Sequence, residues 1–200
     1  MNKNDKLAVV LYINQEYDNK KKQYERAIVA VKTEIEEYFV DINVECIHYI
    51  KSRIKTRESM IEKVERKNYT DPFEQMKDIA GIRIVCHNES DIYQVAAFIK
   101  SRYKDSIIED EKIKREDGYM ARHIVVNMKV LFIGKPYLVK IEIQLRTVAQ
   151  DLFDTLSRRD VYKLSTPLPE SWLTKMKQLA SKLEEADKLA EELKQEWIVE

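Results

Sequence analysis

Asp78-Ile-Ala-Gly-Ile-Arg-Ile-Val85 is the stretch that decides the fold, because it places an acidic residue at the start of an apolar run and an arginine inside it. The apolar residues at 79, 80, 82, 84 and 85 predict a strand that is buried in a sheet. Gly81 in the middle of the strand indicates that another group approaches the backbone closely. Charged residues beside a buried strand favour a functional site at this position.

A second strand of similar character is predicted at residues 138–146, Leu138-Val-Lys-Ile-Glu-Ile-Gln-Leu-Arg146. Glu142, Gln144 and Arg146 alternate with apolar residues, and a period of two is typical of a strand whose two faces meet different surroundings. Both faces of this strand are therefore expected to make specific contacts.

Composition favours one soluble domain over residues 1–200, since 44% of the residues are apolar and 35% are charged. The 35 basic and 35 acidic residues cancel, so any basic binding site has to be local. Cys46 and Cys86 form no C-x-x-C pattern and are expected to be reduced, buried thiols. With neither an apolar signal core nor a run of about 18 apolar residues, a cytoplasmic protein without a membrane partner is expected, and nucleic-acid binding stays open.

Helical patterns surround the two strands. Residues 1–45 predict N-terminal helices with a break near residues 17–19, and residues 46–165 predict an α/β core. The segment 42–68 is predicted to be helical, with an extended lead-in at residues 44–49 and a basic second half. Residues 109–118 are nearly all charged and predict a long loop, which is either a binding loop or a disordered tip. In residues 168–198 apolar side chains recur at near-heptad spacing, which predicts a C-terminal helix that packs on a helix of this chain or of another copy.

A cationic helix face is predicted before the first strand. Its members recur at i, i+4 positions or lie beside that row: Lys55, Ser59, Lys63, Lys67 and Arg66. Such a face suits a polyphosphate. The alternative is a solvated face on which Glu58, Glu62 and Glu65 are the ionic partners.

Asp78 and Glu142 are candidate ligands for Mg²⁺, which takes one or two protein carboxylates and completes its shell with phosphates and water. The alternative is that each pairs with an arginine, Asp78 with Arg83 or Glu142 with Arg146. Further along the chain, His123 has either a structural or a catalytic role. Tyr119 is either an aromatic side chain ready to stack on a base or an ordinary part of the sheet edge.

Taken in order, these motifs resemble the synthetase domain of the RelA/SpoT family, and in particular the small, synthetase-only alarmone synthetases. The resemblance covers residues 46 to 163 and rests on five motifs. They are Arg53-x-Lys55-x3-Ser59-x3-Lys63-x2-Arg66-Lys67, Asp78-Ile-Ala-Gly-Ile-Arg83, Gly118-Tyr119-x3-His123, Glu142-Ile-Gln144-Leu-Arg146-Thr147 and Tyr162-Lys163.

The resemblance implies an α+β fold, with a mixed β-sheet of nucleotidyltransferase type flanked by helices. It implies transfer of the β,γ-pyrophosphate of ATP to the ribose 3′-hydroxyl of GDP or GTP, with release of AMP. Mg²⁺ would be held by Asp78 and Glu142, and Glu142 would also take the proton from the acceptor hydroxyl. The small relatives assemble through terminal helices, which favours a homo-oligomer, a tetramer rather than a dimer.

The same resemblance implies roles for the remaining site residues. The ATP-binding residues would be Arg53 and Arg83 around adenine, with Lys55, Ser59, Lys63 and Arg66 on the phosphates. The acceptor-binding residues would be Tyr119, stacked on guanine, with His123, Gln144, Arg146, Asp151 and Lys112 around the site.

Departures from the family pattern concentrate on the acceptor side. Tyr119-Met-Ala-Arg-His123 lacks the usual cation and hydroxyl, for which Arg122 or Arg115 could supply the charge, and Lys112-Ile-Lys-Arg-Glu-Asp117 lacks the usual Asn and Pro. Two alternatives to alarmone synthesis therefore stay open. One is transfer to another acceptor, such as an adenine nucleotide or the 3′ end of tRNA, and the other is a degenerate nucleotide or RNA sensor. The three histidines are too scattered for the hydrolase metal site of the long relatives.

Overall fold

The computed structural model describes residues 3–161 and 168–198, with the side chains of residues 4–157 and 168–196. The helices are α1 (Lys3–Asp41), α2 (Arg57–Lys67), α3 (Pro72–Gln75), α4 (Glu89–Arg102), α5 (Val148–Val161) and α6 (Glu170–Ile198). The strands are β1 (Ile47–Ile54), β2 (Ala80–Cys86), β3 (Ile107–Lys114), β4 (Met120–Phe132) and β5 (Lys135–Thr147).

The five strands form one mixed sheet in the order β1-β2-β5-β4-β3. The pair β2–β5 is parallel, whereas β1–β2, β4–β5 and β3–β4 are antiparallel. The predicted α+β class with a mixed sheet is confirmed. The strands that carry Asp78-Ile-Ala-Gly-Ile-Arg83 and Glu142 are direct neighbours.

The two faces of the sheet differ in chemistry because side chains alternate along each strand. One face carries apolar rows such as Ile82 beside Ile143 and is covered by α1 and α4, which contribute Ile13, Val31 and Val95 to the main core. The opposite face carries Glu142, Gln144 and Arg146. We call this opposite side the polar face.

Cys46 and Cys86 are free and buried, as predicted. Within the described residues, no helix combines the length and the apolar character that crossing a bilayer requires.

Three expectations about secondary structure are wrong. First, α1 is one helix from Lys3 to Asp41, with no break near residues 17–19, because its buried side chains pack on the core along most of its length. Second, the extended part of the segment 42–68 is longer than the predicted lead-in at residues 44–49, since residues 47–54 form β1 and only residues 57–67 form α2. The row starting at Lys55 is therefore only partly helical.

The third correction concerns the predicted long loop at residues 109–118. Residues 107–114 form β3, and only the turn from Arg115 to Tyr119 connects it to β4. Because β3 is an edge strand with most of its side chains in solvent, it tolerates charges that would be excluded from a central strand.

The C-terminal helix α6 packs on its own chain. Its residues Met176, Leu179, Ala180 and Leu183 contact a small cluster of Tyr119, Ala121 and Phe153. Polar contacts fix it further, because Thr147 Oγ1 donates to Asp187 over 2.7 Å and Lys194 Nζ donates to Ser90 Oγ over 2.9 Å. Part of the apolar stripe is thus satisfied within the chain, while Leu189 and Leu193 remain 59% and 67% exposed.

Candidate active site

The candidate site lies where β1, β2 and β5 run side by side on the polar face. Gly81 pairs with Arg53 of β1 and with Glu142 of β5, so these three residues form one row across the sheet. A methyl group added to Gly81 would lie 3.7 Å from Cγ of Arg53, which is an ordinary contact. The glycine therefore leaves open the floor of a groove between Arg53 and its neighbours.

A second row of the same face completes that groove. Arg83 pairs with Lys51 and with Gln144, two residues further along β2. Arg53, Gly81, Arg83 and Gln144 are among the residues that line a cleft of about 230 Å³. Two arginines on opposite sides of a narrow cleft can stack on the faces of a planar ring.

Asp78 lies just before β2 and is held by two cations. Nζ of Lys63 lies 2.8 Å from its Oδ1, and Nζ of Lys55 lies 3.2 Å from its Oδ2. Burial alone would raise the pKa of Asp78, but the hydrogen bonds and charges of Lys63 and Lys55 outweigh it, and the pKa lies below its ordinary value. The predicted alternative of an ion pair between Asp78 and Arg83 is not observed. Asp78 instead forms ion pairs with Lys55 and Lys63.

Glu142 is held by two neighbours on the polar face. Gln144 Nε2 donates to Glu142 Oε2 over 2.5 Å, and His123 Nδ1 lies 3.4 Å from Oε1. Burial would raise the pKa of the carboxyl and the charge of Asp78 acts in the same sense, but the interactions with His123 and Gln144 prevail and the pKa is lowered. Glu142 is therefore a carboxylate at neutral pH and can accept a proton. The alternative pairing of Glu142 with Arg146 is not observed.

Arg146 is fully buried and contacts two of the residues that the sequence predicts to bind the acceptor. Its Nη2 donates to the Tyr119 hydroxyl over 2.6 Å and to Gln144 Oε1 over 3.1 Å. The Tyr119 hydroxyl in turn lies 3.0 Å from His123 Nε2. When the hydrogen of His123 is on Nδ1 and faces Glu142, Nε2 is free to accept a hydrogen bond. Arg146 then donates to the Tyr119 hydroxyl, and that hydroxyl donates to His123 Nε2.

Tyr119 is not an exposed aromatic platform in this structure. Its side chain is only 6% exposed and belongs to the cluster beneath α6. Arg115 and Arg146 lie over its ring, at 4.7 and 4.9 Å from the ring centroid. The predicted alternative of edge packing describes its present environment.

Asp151 and a residue that the sequence did not single out, Asp154, project from α5 onto the same cluster. Asp151 accepts from Arg83 Nη1 over 2.8 Å, and its other oxygen accepts a short hydrogen bond from the Tyr49 hydroxyl. Asp154 Oδ2 lies 2.5 Å from Arg146 Nη1 and 3.1 Å from Arg83 Nη2. Tyr49 was missed because no local pattern joins it to its partner Asp151, 102 positions further along the chain. Spacing three apart on one helix was the available signal for Asp154.

The structure does not bring Lys112 to the other residues predicted to bind the acceptor. Lys112 pairs with Arg122, which pairs with Leu145, so its side chain lies on the apolar side of the sheet. There Lys112 Nζ donates to the Tyr93 hydroxyl over 3.0 Å. Arg122 lies on that side as well, with two bonds of 2.7 Å to Asp110. Of the two proposed replacement cations, only Arg115 lies near the site.

The other predicted residues lie at the edge of the site or outside the described residues. Ser59 is in the first turn of α2, where its backbone N–H donates to the cap Thr56, and Arg66 is exposed in the last turn. Tyr162 and Lys163 lie outside the described residues.

The donor atoms at the site suit Mg²⁺ shared with a phosphate. Among the described residues, no group of three or more His, Cys, Asp or Glu side chains is placed to hold a metal by itself. Asp78 and Glu142 are close enough for the charge of one to act on the other. Two carboxylates fit an ion that takes its remaining oxygen ligands from a nucleotide and water.

Cations that line a cleft, together with one carboxylate just before β2 and another on the neighbouring strand β5, define a class of site suited to phosphoryl transfer. Comparison with known proteins is consistent with this class, since a family model described as "Region found in RelA / SpoT proteins" matches residues 52–166. The chain belongs to the RelA/SpoT family.

Individual relatives cover nearly the whole chain. The GTP pyrophosphokinase YwaC of Bacillus subtilis is 30% identical over 197 residues, which span 93% of this chain and 90% of the relative. The GTP pyrophosphokinase YjbM of the same organism is 31% identical over 183 residues, 82% of this chain and 86% of the relative. The crystal structure of small alarmone synthetase 2 from Bacillus subtilis superposes with a TM-score of 0.83 at 30% identity, covering 90% of this chain and 99% of that one.

Proposed function

We propose that this protein transfers the β,γ-pyrophosphate of ATP to the ribose 3′-hydroxyl of GDP or GTP, producing ppGpp or pppGpp and AMP. The observation that carries the proposal is the row Arg53, Gly81 and Glu142, which places a carboxylate directly beside Gly81, a residue that lines the arginine-containing cleft. The two similar proteins named above as GTP pyrophosphokinases support the same reaction.

On the donor side, we assign adenine to the cleft between Arg53 and Arg83. The triphosphate then extends toward α2, where Lys55, Lys63, Ser59 and Arg66 supply cations and hydrogen-bond donors. Lys55 and Lys63 are positioned for this role, because both amines lie close together at the carboxylate of Asp78. Phosphate binding exchanges part of that ion pairing for contacts with phosphate oxygens.

Asp78 and Glu142 are the residues that would hold Mg²⁺. When bound, the ion neutralises charge on the phosphate oxygens. The protein itself contributes position and polarity, because the two lysines fix Asp78, and His123 and Gln144 fix Glu142.

Glu142 is assigned as the general base. Its carboxylate takes the proton of the ribose 3′-hydroxyl, the hydroxyl oxygen forms a bond to the β-phosphorus of ATP, and the bond between that phosphorus and the bridging oxygen of AMP breaks. In-line transfer of this kind depends on positioning and on charge neutralisation more than on a protein nucleophile. His123 keeps its Nδ1 side toward Glu142 and orients the base.

On the acceptor side, we assign Tyr119, His123, Gln144, Arg146 and Asp151. Stacking of guanine on Tyr119 requires the turn from Arg115 to Tyr119 to move, because Phe153 and α6 cover the ring. Asp151 must likewise exchange Arg83 or Tyr49 for the N1 and N2 donors of guanine. The acceptor side therefore has to rearrange when it binds a nucleotide.

A panel of acceptors tests the proposal. The purified protein is incubated with γ-labelled ATP, Mg²⁺ and, in separate reactions, GDP, GTP, ADP, ATP alone or deacylated tRNA, and labelled products and AMP are separated by chromatography. Label in GDP and GTP with equal release of AMP is expected. Label confined to an adenine nucleotide or to tRNA would assign the other acceptor, and binding without AMP release would indicate a nucleotide sensor.

We also propose that the protein is a cytoplasmic homo-oligomer, with a tetramer favoured. Exposed apolar residues support this on both terminal helices, including Leu7 and Leu11 on α1 and Leu189 and Leu193 on α6. Light scattering of the intact chain tests the assembly, and a monomer at micromolar concentration would contradict it.

A further inference from the structure

Asp154 is a buried carboxylate to which the sequence motifs assign no role. It is 2% exposed and lies on α5, where it contacts Arg146 and Arg83. From this geometry we infer that Asp154 is a positioning residue that fixes Arg146 and, through Arg146, the base Glu142. The inference rests on the proposed function, because it concerns the residue that takes the acceptor proton.

Two series of contacts connect Asp154 with Glu142. In the first, Arg146 lies 2.5 Å from Asp154 and donates to Gln144, which donates to Glu142. In the second, Arg146 donates to Tyr119, whose hydroxyl contacts His123, and His123 lies 3.4 Å from Glu142. Both series pass through Nη2 of Arg146, so the orientation of one guanidinium sets both neighbours of the base.

Asp154 is the acidic residue best placed to control that guanidinium. Arg146 Nη1 lies 2.5 Å from Asp154 Oδ2 but 3.6 Å from Asp151 Oδ1. Asp151 is also occupied, because it accepts from Arg83 and from Tyr49. Asp154 consequently affects Arg146 more strongly than Asp151 does.

Burial makes the negative charge of Asp154 necessary. The Arg146 side chain is 0% exposed, and a buried cation that loses its counter-charge is strongly disfavoured. Without the charge of Asp154, the guanidinium turns toward the remaining acceptors, and its bonds to Gln144 and Tyr119 weaken. Arg83 is less affected, because its bond to Asp151 remains.

The test is Asp154→Asn, which keeps the size of the side chain and removes its charge. Initial rates of AMP release are measured while ATP and GDP are varied in turn. We expect kcat/KM for GDP to fall about 10- to 100-fold, the size of effect that a misplaced catalytic group causes. The KM for ATP should stay within about threefold of the wild-type value, because Asp151 still holds Arg83.

Asp110→Asn is the matched control. Asp110 also pairs with a partly buried arginine, Arg122, but on the opposite side of the sheet. We expect its kcat/KM to equal that of the wild-type protein. Melting curves recorded by circular dichroism for both variants show that rates are measured on folded protein.

A double-mutant cycle separates positioning from general destabilisation. If Asp154 acts through Arg146, Asp154→Asn should cause no further loss of kcat/KM in the Arg146→Gln background. Losses that multiply in the double variant would overturn the inference, as would an Asp154→Asn variant with wild-type kinetics. Absence of turnover by the wild-type protein would instead contradict the proposed function, so the two failures are distinguishable.

Discussion

The two halves of the proposed site are built differently. The donor half consists of Arg53, Lys55, Lys63, Asp78 and Arg83. The acceptor half consists of Tyr119, His123, Gln144, Arg146 and Asp151. The donor half borders an open cleft of about 230 Å³. The acceptor half is enclosed, with Arg146 fully buried and Tyr119 beneath α6. Glu142 lies at the boundary between the two halves.

The two halves differ in how their charged side chains are paired before a ligand binds. In the donor half, two lysines share one carboxylate, which leaves an excess of positive charge for phosphates. Where the two halves meet, Arg83 of the donor half and Arg146 of the acceptor half are matched by Asp151 and Asp154, so the charges next to the acceptor residues are already balanced. The donor half is therefore prepared for an anion, whereas the acceptor half must break existing contacts before it can bind a nucleotide.

Glu142→Gln removes the group that the two halves share and should have the largest effect. We expect the rate of AMP release to fall about 100- to 10,000-fold, as for other general bases. Glu111→Gln, an exposed change on the strand next to His123, is the control and should keep the wild-type rate. Turnover retained by Glu142→Gln would assign the base to another residue.

Lys63→Ala tests the excess charge of the donor half. A hydrogen bond to a charged group contributes about 1.5–3 kcal/mol, so the KM for ATP should rise about 10- to 100-fold while the KM for GDP stays nearly constant. Lys67→Ala, one turn further along α2 and exposed, should change neither value. Equal effects of the two variants on ATP would show that the phosphates do not reach the amine beside Asp78.

Gly118→Ala tests whether α6 closes the acceptor half. Gly118 has φ of +96°, and an added methyl group would lie 2.3 Å from Cβ of Ala180. Backbone strain and overpacking should together lower the free energy of unfolding by about 2–3 kcal/mol. Gly134→Ala provides the control, since φ is +72° there and no atom lies within 4 Å.

Urea denaturation measures the free energy of unfolding of both glycine variants. In the control, backbone strain should lower the free energy of unfolding by only about 1 kcal/mol. The additional loss in Gly118→Ala measures how tightly α6 packs on this turn. Identical midpoints for the two variants would mean that α6 is not packed on this turn in solution.

Lys112→Ala should have the smallest effect. Its side chain contacts Tyr93 on the apolar side of the sheet, so the KM for GDP should be unchanged. Stability should change by less than about 0.5–1 kcal/mol, the range for an exposed cation–π contact. A marked rise in the KM for GDP would show that β3 rearranges during binding and brings Lys112 into the acceptor half.

The donor half could be predicted from the sequence because local spacing determines most of it. Lys55 lies just before α2, Lys63 lies within it and Asp78 lies just before β2, so each charge belongs to a local pattern, although the fold is what brings Asp78 to the two lysines. The structure brings these charges together even though Lys55 lies outside the helix. The mixed sheet was expected from the family resemblance.

The acceptor half could not be predicted as fully because it depends on strand parity and on distant pairings. Residues 109–118 were predicted to form a loop, so the alternation of side chains along a strand was not expected there. That alternation is what places Lys112 on the apolar side of the sheet. Tyr49 and Asp151 are 102 positions apart in the chain, and no periodic pattern links residues at that separation. The balance of arginines and carboxylates likewise emerges only when α5 packs on the sheet.

The position of β5 in the sheet has a consequence for how the protein becomes active during synthesis. Glu142 lies on the central strand of the sheet, yet this strand is the last of the five to leave the ribosome. Until then β1–β2 and β3–β4 are separate antiparallel pairs, and β5 unites them by pairing in parallel with β2 and antiparallel with β4. Non-local parallel pairing is a slow step of folding. The protein therefore acquires Glu142, its proposed base, in the same step that completes its sheet.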